Sequence, residues 1–105
     1  MDFKQIEPEV KKYLAKLKKD FPVKGVILFG SFSKGKAKAD SDIDLIILSP
    51  AFSKMNEDER LKFLYRRSVG FPYNLHVYGI TPLEFVSASP LTTLGEAKRT
   101  GIKIA

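Results

Sequence analysis

Apolar residues recur along this chain first with a helical period and then with the patterning of strands. In residues 5–20, Ile6, Val10, Tyr13, Leu14 and Leu17, followed by Phe21, fall on one stripe of a helix of period 3.6. Lys11, Lys12, Lys16, Lys18 and Lys19 fall mostly on the other faces, and Pro22 marks the end. Residues 23–29 are apolar after Lys24, interrupted only by Gly25, and rich in β-branched side chains. They predict a strand buried on both faces. Residues 32–41, FSKGKAKADS, form a polar crossover with room for one helical turn stopped by Gly35. Residues 42–48 predict a second strand, ended by Ser49-Pro50.

A second helix is expected over 56–68. Asn56 caps it, Glu59 stands where a capping-box acid belongs, and Leu61, Leu64, Tyr65 and Ser68 share a face. Gly70 and Pro72 separate it from a third strand, 73–80. Thr81-Pro82-Leu83-Glu84 reads as cap, first-turn proline and reciprocal acid, so a short helix starts there. Ser89-Pro90 repeats the cap-and-proline signal for a last helix to residue 99, with Gly101 as its stop and 102–104 as a short edge strand. The order predicts an α/β (α+β) fold, a small mixed sheet covered by helices, in one domain over residues 1–105.

Composition narrows the class. The chain is 44% hydrophobic and 11% aromatic, enough for a real core, and it contains no cysteine, which removes disulfides and thiolate metal sites. No apolar run approaches the roughly 20 residues of a membrane span, and the charged start MDFKQIEPEV lacks a signal-peptide core. A soluble cytoplasmic protein is the expectation. The net charge of +6 suits nucleotides as ligands and leaves nucleic acid open as a partner, although a lysine-rich solvated surface also accounts for it.

The candidate chemistry lies between the first two strands. Gly30-Ser31 closes one apolar run, and ten residues later Asp42-Ile43-Asp44 opens the next. Side chains alternate along a strand, so Asp42 and Asp44 face the same way, roughly 6.5–7 Å apart at Cα. Two such carboxylates converge on hard divalent cations such as Mg²⁺, whose remaining ligands are phosphate oxygens and water. Gly30, without a Cβ, lets backbone N–H groups approach a phosphate, Ser31 adds a hydroxyl, and Lys34, Lys36 and Lys38 offer positive charge.

This arrangement resembles the minimal nucleotidyltransferases of the polymerase-β superfamily, the small antitoxin partners of HEPN-domain proteins. The shared signature is Gly-Ser, ten residues, then Asp-x-Asp, here within LFGSFSKGKAKADSDIDLIIL, and the Thr81-Pro82-Leu83-Glu84-Phe85 stretch also matches. The resemblance implies that Asp42 and Asp44 bind Mg²⁺ and that Gly30, Ser31 and Lys34 hold the triphosphate. It further implies transfer of AMP from ATP to a hydroxyl on a HEPN partner.

One position departs from the pattern. The third acid of the family stands five residues before the Thr-Pro, where this chain has His76. A histidine there can serve as a general base or nitrogen ligand, or be a strand residue with a satisfied polar edge. Three functions follow: a Mg²⁺-dependent transferase, an antitoxin-like binding module that acts by forming a complex, or, from the charge and the lysine-rich first helix alone, a basic RNA-binding domain ranked last. Because so short a chain leaves the nucleotide cleft open on one side, a partner protein or a second copy is expected to complete it. Arg66-Arg67 read as a solvated helix end or a grip for phosphate or an acidic partner, Tyr65, Tyr73 and Tyr78 as packing residues or base stackers, and Phe52 and Met55 as partner-facing or sheet-covering.

Overall fold

The computed structural model describes residues 2–38 and 40–105. Position 39 of the expected crossover, and position 1, lie outside the described residues. The fold is mixed α/β, a four-stranded sheet with helices on both faces.

The first helix, α1 (Phe3–Lys18), begins two residues earlier than the expected span 5–20 because Asp2 caps it. The Gln5 amide donates to Asp2 Oδ1 at 3.3 Å and the Asp2 amide to Gln5 Oε1 at 2.7 Å, which closes a capping box. Its stripe is buried as expected at Ile6, Val10, Tyr13, Leu14 and Leu17. The Tyr13 hydroxyl donates 2.8 Å to the Leu64 carbonyl, so the core keeps a polar atom only where it is paired.

Strands β1 (Gly25–Phe29) and β2 (Ile43–Leu48) pair antiparallel, Phe29 opposite Asp44. Helix α2 (Glu57–Arg66), capped by Asn56 and Glu59 as expected, carries the chain to β3 (Leu75–Ile80). That strand lies parallel to β2 with His76 opposite Asp44. Helices α3 (Pro82–Val86) and α4 (Thr93–Thr100) follow, and β4 (Ile102–Lys103) pairs with the far side of β1. The sheet order is β3-β2-β1-β4.

Strand alternation divides the core in two. On one face Val26, Leu28, Ile43, Leu45, Ile47 and Val77 pack with the α1 stripe, Leu64 and Phe52. On the other, Ile27 and Ile46 pack with Ala97 of α4, flanked by Phe29, Leu48, Ile80, Phe85 and Leu94. This second face also carries Asp44 and His76.

Several expectations are corrected. The last helix is capped not by Ser89 but by Thr92, whose hydroxyl accepts from the Gly95 amide at 3.0 Å. Ser89-Pro90 instead sits in a turn packed under α4, where a side chain at Gly95 would collide with the Ser89 carbonyl. On α2 only Leu64 is fully buried, Leu61 and Tyr65 are over a third exposed, and Phe63 turns to the core in their place. Phe52 is fully buried beneath Gly79, which excludes it as a partner-facing residue. Arg67 is held rather than solvated: its guanidinium lies 3.7 Å over the Phe63 ring and 3.3 Å from Asp20 Oδ2.

β3 is an edge strand, and α2 covers its outer groups. Tyr65 donates to the Leu75 carbonyl at 3.1 Å and accepts from the Val77 amide at 3.2 Å. Arg60 donates 3.1 Å to the Gly79 carbonyl while bonding Glu84 at 2.7 Å and the Met55 carbonyl at 3.0 Å. Tyr65 is therefore a hydrogen-bonding clasp, a role its place in a helical pattern does not disclose.

Candidate active site

The two strand ends that carry the sequence motif meet as backbone before they meet as side chains. β1 runs out at Phe29, and the chain turns through a 3₁₀ helix, Gly30–Phe32, with Gly30 at φ +73°. The turn is closed by Ser33 and Lys34 amides on the Gly30 carbonyl at 3.1 and 3.2 Å. Its helical hydrogen bonding therefore begins at Gly30, two residues earlier than the turn expected near Phe32. Ser31 is half-buried within it, and Gly35 stands at φ +69° near the end of the following turn.

Gly30 has a second reason to be glycine. A Cβ there would overlap Asp44 Oδ2 and lie 3.1 Å from its Cγ. The Asp44 carboxylate thus rests on the bare backbone of the turn. Its side chain is 19% exposed, against 43% for Asp42. Burial raises the Asp44 pKa first, and the neighbouring Asp42 charge adds to the rise, while His76 works in the opposite direction.

The β2–β3 pairing delivers His76 to the acid pair. His76 Nδ1 lies 3.4 Å from Asp44 Oδ1 and Nε2 lies 3.6 Å from Asp42 Oδ2, so one imidazole spans both carboxylates. The loop before them is tied down as well: the Ile43 amide donates 2.8 Å to the Asn74 carbonyl, and Asn74 Nδ2 reaches the Asp40 carbonyl at 3.5 Å.

Gly30, Asp42, Asp44 and His76 are thereby brought together, with Ser31 in the adjoining turn. Lys34 points elsewhere: its ammonium pairs with Glu96 of α4 at 3.3 Å. Glu96, 62 residues away in sequence, was not singled out, because no local pattern connects a turn to a helix so distant. The Lys34–Glu96 pair borders a cleft of about 190 Å³ that also includes Phe29, Gly30 and Thr93.

Among the described residues no group of three or more His, Asp or Glu side chains is arranged as a metal cage. The donor chemistry fits a different arrangement. Two carboxylates a residue apart, one of them largely desolvated, suit a hard divalent cation whose other ligands come from phosphate and water. Asp42 and Asp44 are the residues that could hold it. A histidine nitrogen is the weaker donor for Mg²⁺.

A mixed sheet that sets Gly-Ser and Asp-x-Asp side by side at strand ends defines a nucleotidyltransferase-type domain. The chain belongs to the nucleotidyltransferase domain family, whose model matches residues 10–100. It is 30% identical over 98 residues to MJ1305 of Methanocaldococcus jannaschii, named as a candidate protein adenylyltransferase, covering 79% of this chain and 67% of that protein. A second such protein of the same organism, MJ1215, is 35% identical over 43 residues, covering 41% of this chain and 50% of its own length. The chain therefore spans about two thirds of one curated relative and half of the other.

Solved structures agree on the fold. A candidate nucleotidyltransferase from Sulfolobus solfataricus superposes with a TM-score of 0.71 at 18% identity, covering 94% of this chain and 78% of that one. A toxin–antitoxin crystallised with AMP-PNP superposes with a TM-score of 0.59 at 20% identity, covering 89% of this chain and 69% of that one. No helix among the described residues is long and apolar enough to cross a membrane.

Proposed function

We propose that this domain transfers a nucleoside monophosphate, AMP from ATP, to a hydroxyl on a protein partner in a Mg²⁺-dependent reaction. The observation that carries the reading is the contact of Asp44 with Gly30, which joins the phosphate turn to the acid pair at one sheet end. The adenylyltransferase relatives and the toxin–antitoxin neighbour support a protein acceptor, and the sequence resemblance points to a HEPN-domain partner.

In this reading the backbone of Gly30 and Ser31 holds the triphosphate, and Lys34 exchanges Glu96 for phosphate oxygen. Asp42 and Asp44 hold Mg²⁺, which when bound neutralises the triphosphate and the departing pyrophosphate. The acceptor oxygen attacks the α-phosphorus, a new P–O bond forms, and the bond to the β-phosphate oxygen breaks. His76, opposite Asp44 in register, takes the acceptor proton.

The span of His76 across both carboxylates favours a second reading, an antitoxin-like binding module with no turnover. Incubation with labelled ATP, Mg²⁺ and a purified HEPN partner separates the two. Label on the partner that disappears with Asp42→Asn/Asp44→Asn establishes transfer. Complex formation without label, unchanged in that variant, establishes the binding module.

A further inference from the structure

The second sheet face continues past the acid pair into an apolar groove. About 230 Å³ in volume, it is lined by Phe29, Ile46, Tyr78, Ile80, Thr93 and Leu94. Its position follows from the registers. Phe29 is opposite Asp44 and next to Gly30, and Tyr78 is two residues beyond His76 on the same strand face.

The Phe29 and Tyr78 ring centroids are 6.1 Å apart at an interplanar angle of 40°. Their strands have β2 between them, a separation of about 9.5 Å. Both rings therefore lean over β2 and meet just inside the acid pair. Tyr78 is nonetheless 42% exposed, an aromatic face left open to solvent in a groove floored by buried Ile46.

We infer that this groove is a nucleobase subsite, selective for purines as a class. The inference rests on the proposed nucleotide site, since its occupant is the base of a nucleotide whose phosphates lie at Gly30 and Ser31. The groove shares Phe29 and Thr93 with the cleft beside Gly30 and Lys34, so the two adjoin. Its volume is below the roughly 300 Å³ at which pockets for drug-sized ligands begin, which suits one flat ring system.

Stacking accounts for the selectivity. Every base has a π-face, and the larger purine covers more of the Tyr78 ring. The polar side-chain atoms among the lining residues are the Thr93 and Tyr78 hydroxyls, each able to donate or accept.

The test is equilibrium binding of ATP, GTP, CTP, UTP and inorganic tripolyphosphate, with Mg²⁺, to the wild type, Tyr78→Ala and Tyr78→Phe. ATP and GTP should bind roughly tenfold or more tighter than tripolyphosphate, the usual range for one base stack. Tyr78→Ala removes that advantage and Tyr78→Phe keeps it, with equal urea midpoints showing that folding is unaffected. An undiminished advantage of ATP over tripolyphosphate in Tyr78→Ala, or pyrimidines bound as tightly as purines, overturns the subsite and leaves the nucleotide site standing. Absence of ATP and tripolyphosphate binding in the wild type overturns both.

Discussion

The Asp44 carboxylate occupies the space that a side chain on Gly30 would need. Gly30→Ala therefore meets two obstacles, a left-handed backbone at φ +73° and a displaced acid. The variant is expected to lose about 1–3 kcal/mol in urea unfolding, and its nucleotide affinity should fall more than tenfold. Gly35→Ala is the control: φ is +69°, yet nothing lies within 4 Å of its Cβ. It should lose about 1 kcal/mol and bind nucleotide normally. Equal binding losses in the two variants would break the link between the turn and the acid.

Asp44→Asn should separate stability from chemistry. The folded-state pKa is raised above its ordinary 3.8, chiefly by burial, so the folded protein binds the proton more tightly than the unfolded chain. This group's contribution to stability is therefore greatest at low pH and declines as pH rises from 3.8 through the raised pKa. Asn carries no such dependence. The stability of Asp44→Asn relative to the wild type should rise across that window and then level off, while metal-dependent nucleotide binding is lost. Chemical denaturation at a series of pH values measures it, and a difference that shrinks with pH would contradict the assignment.

Glu84 has the opposite sign. The hydrogen bond from Arg60 is the main cause holding its pKa below the ordinary 4.5, and Thr81 contributes to the same end. Its stabilising effect is present above pH 4.5 and lost as pH falls through the depressed folded value. Glu84→Gln should be less stable than the wild type at neutral pH and indistinguishable from it once both are acidified below that value. The effect is small, because the carboxylate is half exposed and screened.

Tyr65→Phe removes one hydroxyl that serves two backbone groups of the edge strand. The expected loss is about 1–2 kcal/mol in thermal or urea unfolding. The uncovered Leu75 carbonyl and Val77 amide should also increase concentration-dependent association, readable by light scattering. A variant as stable and as monodisperse as the wild type would show that water replaces the hydroxyl without cost.

The parts of this fold legible in sequence are those set by neighbours in the chain. The Asn56–Glu59 and Thr81–Glu84 boxes, the α1 stripe and the strand alternation involve residues a few positions apart. Ser89-Pro90 misled because its helix-start signal is local, whereas the choice of Thr92 depends on how closely Gly95 packs on the Ser89 carbonyl. The face of α2 misled because Arg60 and Tyr65 are drawn to β3 by backbone hydrogen bonds rather than by burial. At the candidate site, the Gly-Ser and Asp-x-Asp elements stand out by their spacing, while their meeting in space depends on the β1–β2 register. The groove between Phe29 and Tyr78 has no such signal, since those rings are 49 positions apart and meet only when β1 and β3 flank β2.

β2 carries Asp44 on the face that its neighbours Ile43 and Leu45 turn away from. Ile43, Leu45 and Ile47 sink into the larger core, whereas Asp44 on the reverse side sits at the rim of the candidate chemistry. Substitutions at Ile43, Leu45, Ile46 and Ile47, all buried, should therefore fail as misfolded protein, whereas substitution of Asp44 should leave a folded one. On the neighbouring strand the same division sets half-exposed His76 beside fully enclosed Val77, so the candidate site can vary while the scaffold stays intact.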